Sequence, residues 1–283
     1  MYKIIKVLNN NALFVNKEGR RECILLGKGI GFGHKSGDMI DKTPAMNEYH
    51  LAKDDDRRNK IGTDSGIEPV YLEVAGRIID EAKLVIDGVH SDILLPLADH
   101  IAFAAHREKQ KIFVPNPFIP DIKVLYGKEY SVAIKCRNMI KEMAGYEVTE
   151  DEAGFIALHI HSGLSHEAVS RTMRDTQAIN SAMKLIESQL ESPCDHENVW
   201  YTRLMSHLYY IIVRTRNGDP FRIDLGGFMD MRYPTSSHIA YNVLRHIQEQ
   251  LDMDIDPLEQ GYLALHIESL ARSARNTVPV DIR

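Results

Sequence analysis

The first sixty residues alternate between short apolar runs and turn-forming residues. Asn9–Asn11 and Lys17–Gly19 carry the Asn and Gly signals that close a hairpin. The glycine-rich segment 27–33, GKGIGFG, holds four glycines in seven residues, which suits close backbone approach or positive φ and does not suit a helix. This part is predicted to be a small all-β domain, and its apolar runs are 4–8, 12–15 and 23–26.

The pattern changes to a helical one after a polar segment. Residues 53–60, KDDDRRNK, predict a linker or the start of a fraying helix. Beyond them, apolar residues follow the three-to-four spacing of amphipathic helices. Two clear examples are Val70, Val74, Ile78 and Ile79, and then Ile93, Leu94, Leu97, Ile101 and Ala104.

The chain repeats itself at an offset of 107 residues. Glu152–Ser162 aligns with Glu259–Ser269, with seven of eleven positions identical. The same offset pairs His100 with His207, Arg107 with Arg214, Tyr126 with Tyr233, and Leu97 with Leu204. A period this long indicates a duplicated domain, since solenoid repeats are roughly 20–50 residues long.

Helix-start signals recur at that offset as well. Thr149 and Glu152 have the spacing of a capping box, and Asp256, Pro257 and Glu259 supply an N-cap, a proline and a first-turn acid. Helices are therefore predicted to begin near 149 and near 256.

These patterns predict a multidomain protein, with a small all-β N-terminal domain followed by two duplicated all-α helical bundle domains. The expected boundaries are a head over residues 1–55, a linker over 56–66, and helical domains over 67–168 and 169–283.

Composition and charge narrow the function. The chain is 44% hydrophobic and 26% charged, which excludes a disordered or fibrous protein. We expect no membrane insertion and a cytoplasmic location, because no apolar run suits a bilayer and the N-terminus lacks the apolar core of a signal peptide. Residues 1–60, which are the head and the start of the linker, hold twelve basic and eight acidic residues. Their net charge is +4 against −10 for the remainder, so this part of the chain suits an anionic partner. The cysteines Cys23, Cys136 and Cys194 form no CxxC pair or disulfide framework.

Four of the thirteen histidines recur in register, namely His100, His159, His207 and His266. A lone core histidine is commonly structural, but recurrence in both copies favours a function. A metal site shared by the copies is limited to two histidines, since His161 becomes Glu268. Acid–base catalysis lacks a nucleophile motif, a P-loop or a dinucleotide fingerprint. Phosphorylation of a neutral imidazole, which would add negative charge within a helical interface, is the third interpretation.

The head resembles the RNA-binding co-antiterminator domain of BglG/SacY-type transcriptional antiterminators. The matching residues are Lys3, Lys6-Val7-Leu8-Asn9-Asn10-Asn11 and Gly27-Lys28-Gly29-Ile30-Gly31-Phe32. The duplicated part resembles two tandem PTS regulation domains, through Leu97–His100, Gly154–His159, Ser206-His207 and Gly261–His266. Lys28 resembles the glucose-type subgroup, since many other members have Arg at this position.

The resemblance implies an RNA-binding regulator. The head would dimerise and bind a hairpin in nascent mRNA, so that transcription reads through a terminator into a sugar-uptake operon. The residues implied to face RNA are Lys6, Asn11, Gly27, Lys28, Gly29 and Phe32. Asn can bond base edges, and an exposed aromatic ring can stack on an unpaired base.

The resemblance also implies regulation by phosphorylation of His100, His159, His207 and His266. A sugar permease of the phosphotransferase system would modify the first helical domain, and the phosphocarrier HPr the second. We therefore expect a homodimeric antiterminator that is not an enzyme and has no cofactor and no metal. The alternatives are a DNA-binding activator under phosphotransferase control and a His-dependent metalloenzyme. Against the former, the head lacks two apolar-periodic helices joined by a short turn.

Overall fold

The computed structural model describes residues 1–17, 22–50, 67–165, 168–190, 195, 198–219 and 222–276. The predicted linker 56–66, Glu18 and Gly19 of the predicted turn, and Cys194 lie outside these residues. Within the described part of the chain, every helix is too short or too polar to cross a membrane.

The head is an antiparallel sheet of five strands, which confirms the all-β prediction. The strands are β1 (Tyr2–Asn9), β2 (Ala12–Lys17), β3 (Glu22–Leu26), β4 (Met39–Ile40) and β5 (Asn47–His50), in the order β4-β1-β2-β3-β5. The predicted Asn turn joins β1 to β2 in a hairpin that pairs Asn9 with Ala12.

The apolar runs of β2 and β3 are nearly continuous because both faces of the sheet are buried. One face packs within the head, through Tyr2, Ile4, Leu13, Val15, Cys23, Leu25 and Ile30. The other face, Leu8, Ala12, Phe14, Ile24 and Leu26, joins the core of the first helical domain. Gly76 marks how closely the two approach, since a Cβ there would lie 2.9 Å from the Leu8 carbonyl oxygen.

The remainder is helical, as predicted. The helices are α1 (Pro69–Lys83), α2 (Leu94–Lys109), α3 (Ile119–Leu125), α4 (Gly127–Ala144), α5 (Glu150–Ser165), α6 (Val169–Leu190), α7 (Val199–Asn217), α8 (Gly226–Arg232), α9 (Pro234–Leu251) and α10 (Glu259–Asn276). A short 3₁₀ turn, Ser91–Ile93, precedes α2.

The chain forms two compact units. The first holds residues 1–116 and 128–169, and the second holds 117–127 and 170–283. Segment 117–127, which the sequence assigns to the first helical domain, thus packs with the second unit. Its helix α3 packs there through Val124 and Leu125, and Asn180 Nδ2 donates to Asp121 Oδ2 at 2.8 Å. The boundaries between the three domains stay a prediction.

The two predicted helix starts differ in detail. Helix α5 begins at Glu150, and the Glu152 amide donates to Thr149 Oγ1 at 3.2 Å, as one half of a capping box does. Helix α10 begins at Glu259, three residues later than predicted. Asp256 instead caps a turn, because its Oδ1 accepts the Leu258 amide at 3.0 Å and its carbonyl accepts the Glu259 amide.

Candidate RNA interface and histidine sites

The hairpin end of the head and the glycine-rich loop form one surface. The Gly27 amide donates to the Asn11 carbonyl at 2.9 Å, and the Gly31 amide donates to the Asn10 carbonyl at 2.9 Å. The Asn11 side chain accepts the Gly29 amide at 2.7 Å through Oδ1. Four of the six residues expected to face RNA therefore lie together, namely Asn11, Gly27, Lys28 and Gly29.

The loop has the conformation that its glycines predict. Gly29 has a φ of +72°, a left-handed value that suits glycine. At Gly31, a Cβ would lie 2.2 Å from the Asn9 carbonyl oxygen, so only glycine fits. Phe32 follows with 78% of its surface exposed and is not a core residue. The loop thus exposes an aromatic ring, which suits a stacked base, and the Lys28 side chain, which suits a phosphate.

The first helical domain contacts two of the residues expected to face RNA. Lys6, which lies on β1 and not in the hairpin turn or the glycine-rich loop, forms an ion pair with Glu73 of α1. Asn11 Nδ2 donates to Ser91 Oγ at 3.4 Å. A cavity of about 630 Å³ lies between these parts of the first unit, where Asn11, Gly27 and Lys28 face residues of the helical domain, which are Lys83, Val89, His90, Ser91 and Asp92. Sequence analysis missed Glu73 and Ser91, since neither belongs to a motif.

Each helical domain builds one site from two facing helices. In the first, α2 carries His100 and Arg107, and α5 carries Glu152 and His159. Residues seven apart share one helix face, so each helix presents a histidine and a charged residue in one stripe. His100 lies beside His159 and Arg107 beside Glu152, which means that the two helices run antiparallel.

The first site is compact. The ring centroids of His100 and His159 are 4.9 Å apart. Glu152 contacts both α2 residues of the site, because its Oε2 lies 3.1 Å from His100 Nε2 and its Oε1 accepts a hydrogen bond of 2.5 Å from Arg107. Phe155 closes one side, with its ring centroid 5.9 Å from that of His100.

The second site repeats this arrangement at the offset of 107. The rings of His207 and His266 stack with centroids 4.5 Å apart. Arg214 binds Glu259 through two hydrogen bonds of 2.9 Å, and His207 Nε2 lies 4.0 Å from Glu259 Oε2. Glu259 is thus held more firmly by its arginine and less closely by its histidine than Glu152 is.

Burial keeps most of these imidazoles neutral. Desolvation lowers the pKa of His159 and of His207 to about 3, and it also lowers the pKa of His266. Each ring then offers a nitrogen lone pair at neutral pH, as a phosphoryl acceptor requires. His159 Nδ1 is buried without a hydrogen-bond partner among the described residues, a situation that costs about 1–3 kcal/mol.

The pKa values of Glu152 and Glu259 are shifted in opposite directions. Burial raises the pKa of Glu152, but His100 and Arg107 outweigh burial, so the pKa lies below its ordinary value. At Glu259 burial outweighs Arg214, and the pKa is raised. The closer histidine in the first site accounts for the difference, since it stabilises the ionised carboxylate.

His161 lies outside the histidine site. Its Nδ1 is 2.8 Å from Glu129 Oε1 on α4. At the equivalent positions of the second copy, Ser236 donates to Glu268 at 2.7 Å. The first copy therefore has a His–Glu pair where the second has a Glu–Ser pair. Among the residues described, no cluster of three potential metal ligands occurs.

Sequence analysis recorded Arg107, Arg214, Glu152 and Glu259 only as repeat and helix-start positions. Their recurrence at the histidine offset was the signal that could have placed them in the site. Only the packing of α2 on α5, and of α7 on α10, shows that each arginine reaches the glutamate of the facing helix.

Comparisons with known proteins identify two types of domain in this chain. The model of the CAT RNA binding domain matches residues 2–59, and the model of the PRD domain matches residues 78–163 and 180–270. The GlcA/glcB genes antiterminator of Staphylococcus carnosus is 31% identical over 98% of each chain. Protein GlcT of Staphylococcus saprophyticus is 30% identical over 94% of this chain and 96% of its own.

A solved structure is also similar. The crystal structure of GlcT CAT-PRDI shares 32% identity and covers 58% of this chain and 98% of its own, with a TM-score of 0.37. The family is established by the matches to the family models and by relatives that are at least 30% identical over nearly the whole chain. This chain belongs to the transcriptional antiterminators that join a CAT RNA binding domain to two PRD domains.

Proposed function

We propose that this protein binds a hairpin in nascent mRNA and prevents termination upstream of a glucose-type sugar-uptake operon. Binding would be controlled by reversible phosphorylation of its paired histidines. The observation that carries this proposal is the joining of one RNA-binding head to two copies of the same His–His–Glu–Arg site, with ring centroids 4.9 and 4.5 Å apart. The names of two relatives, the GlcA/glcB genes antiterminator and Protein GlcT, support the glucose-type assignment.

The RNA would contact Lys6, Asn11, Gly27, Lys28, Gly29 and Phe32. A base stacked on Phe32 and a phosphate beside Lys28 fit the exposed loop, and the positive head supports an anionic ligand. We expect a homodimer, which would present two such surfaces to one hairpin.

The phosphate would come from the phosphotransferase system. The sugar permease would act on the first domain, at His100 or His159, and HPr on the second, at His207 or His266. The chain would be the substrate of these reactions and not their enzyme. A phosphoryl group adds roughly −1.5 to −2 charges to a helical interface, which is enough to change its packing.

A transcription assay with a terminator template tests the proposal. Purified protein should raise read-through, phosphorylated HPr and permease should change it, and replacing the four histidines by Gln should remove that response. A gel shift with hairpin RNA and duplex DNA, at one salt concentration, separates this function from a DNA-binding activator. Binding to duplex DNA alone would refute the proposal.

A further inference from the structure

We infer that Arg107 and Arg214 bind the phosphoryl group of the modified histidine, and that Glu152 and Glu259 occupy the phosphoryl position beforehand. This inference rests on the proposed phosphorylation of the four histidines and deepens it. In the first site the glutamate contacts both the histidine and the arginine of the facing helix.

Glu152 already forms the contacts that a phosphoryl group on His100 would form. One of its oxygens lies 3.1 Å from His100 Nε2, and the other accepts from Arg107 at 2.5 Å. An anion on Nε2 would therefore lie within reach of the guanidinium once the carboxylate moves away. Arginine suits this exchange, since its planar fork binds carboxylate and phosphate in similar ways.

One hydrogen-bond donor of Arg107 is unused. Its Nε is buried and has no hydrogen-bond partner among the described residues. A carboxylate has two oxygens to offer, whereas a phosphoryl group has three. The unused donor therefore fits a ligand with one more acceptor than Glu152 provides. Both glutamates also lie in the first turn of their helix, where the backbone favours an anion.

The same four residue types recur at one offset in the second site. Arg214 binds both oxygens of Glu259 at 2.9 Å, and Glu259 Oε2 lies 4.0 Å from His207 Nε2. A pair that only held two helices together would require an arginine and a glutamate. It would not require that the carboxylate also face the histidine in both copies.

The transfer step follows from these positions. The Nε2–P bond forms as the N–P bond of the donor's phosphohistidine breaks, and the donor nitrogen keeps the electron pair. When the neutral ring is protonated at Nε2, that proton passes to Glu152 Oε2, which lies 3.1 Å away. A protonated carboxyl is neutral and loses its hold on Arg107, so the guanidinium becomes free for the three phosphoryl oxygens.

Phosphorylation of the full chain by phosphorylated HPr and permease tests this inference. Mass spectrometry would locate the phosphate, and ³¹P NMR would distinguish Nε2 from Nδ1. We expect Nε2 phosphorylation of His100 in the wild type. Arg107→Gln should slow it about a hundredfold, as the loss of one oxyanion donor does. Arg107→Lys should restore part of the rate, and Glu152→Gln should slow transfer because it cannot take the proton.

One control is built into the chain. Arg245→Lys, at an exposed arginine paired with Glu249, should leave the His100 rate unchanged. The pH titration of the ³¹P signal excludes a merely structural role. Its midpoint, about 6 for a free phosphoryl group, should lie lower in the wild type and return toward 6 in Arg107→Gln.

The outcomes separate the two proposals. If wild-type protein takes up no phosphate on these histidines, the proposed function fails and this inference fails with it. If the wild type is phosphorylated but Arg107→Gln and Arg107→Lys keep its rate and titration midpoint, only the present inference fails. A wild-type phosphate on Nδ1 would also overturn it.

Discussion

At the scale of single residues, this protein buries titratable groups that water would normally solvate. His159 and His207 are each less than one tenth exposed, and burial lowers the pKa of both to about 3. Such rings cannot carry a proton in the folded state near neutral pH. They gain that ability only on unfolding, which links the stability of both helical domains to pH.

Acid should therefore destabilise both domains. The folded pKa of about 3 lies below the ordinary 6.5, so the unfolded chain binds more protons below pH 6.5. The contribution of each buried, neutral histidine to the free energy of unfolding is fully present above pH 6.5, and it is lost progressively as the pH falls to about 3. At pH 5.5 the loss is on the order of 1 kcal/mol for each histidine. Urea unfolding of the wild type and of His159→Gln at pH 7.5 and 5.5 measures it, with exposed His106→Gln as control. If His159→Gln lost as much stability between pH 7.5 and pH 5.5 as the wild type does, His159 would not be a source of the acid sensitivity.

Phe32 provides a second prediction at this scale. Phe32→Ala should weaken hairpin binding about tenfold to a hundredfold, because one stacked base is worth about 1–3 kcal/mol. Its side chain is 78% exposed, so the melting temperature should not change. Phe113→Ala, at a phenylalanine 69% exposed outside the head, is the matched control in a fluorescence anisotropy titration. Equal affinities of the two variants would remove Phe32 from the RNA site.

At the scale of elements, the duplication keeps one helix pair constant while it changes the neighbouring contact. The pairs α2–α5 and α7–α10 both present His, Arg, Glu and His in register. By contrast, α5 contacts α4 through His161 and Glu129, and α10 contacts α9 through Glu268 and Ser236. Both positions differ between the copies, and the contact gives a reason for this, since a lone Glu at 161 would face the carboxylate of Glu129.

An exchange between the copies tests this coupling. His161→Glu places two carboxylates together where Glu129 is only 9% exposed, and it should destabilise the first domain by about 3 kcal/mol. Adding Glu129→Ser recreates the pair of the second copy and should recover most of the loss. A urea double-mutant cycle measures the coupling. Additive losses would show that the two positions are independent.

At the scale of the whole molecule, the head is covered by the first helical domain on one sheet face. The contact reaches two of the residues proposed to face RNA, because Lys6 pairs with Glu73 and Asn11 bonds Ser91. Under the proposed function, RNA that contacts Lys6 and Asn11 would compete with Glu73 and Ser91 for these two side chains.

Freeing Lys6 should strengthen RNA binding. Glu73→Gln removes a partly exposed ion pair, which is worth up to about 1 kcal/mol, so the Kd for the hairpin should fall a few-fold. Glu81→Gln is the matched control, because Glu81 lies on the same helix and pairs with Lys135. Anisotropy titrations at one salt concentration measure both variants. An unchanged or higher Kd in Glu73→Gln would argue against competition.

The sequence alone indicated a β head and a helical remainder, and it showed which residues recur. Apolar periodicity depends on local backbone geometry, so strands β1, β2 and β3 and helices α1 and α2 followed from it, whereas β4 and β5 did not. The start of α10 did not, because Asp256 can cap either a helix or a turn. The offset of 107 singled out His100, His159, His207 and His266 before any contact was known.

Only the tertiary structure decided what those residues touch. Glu152 and Arg107 are 45 positions apart, and they meet because α2 and α5 pack antiparallel. Lys6 meets Glu73, and segment 117–127 joins the second unit, through packing that no local pattern encodes. Periodicity reports which face of an element is buried, whereas the partner of that face depends on the free energy of packing the whole chain.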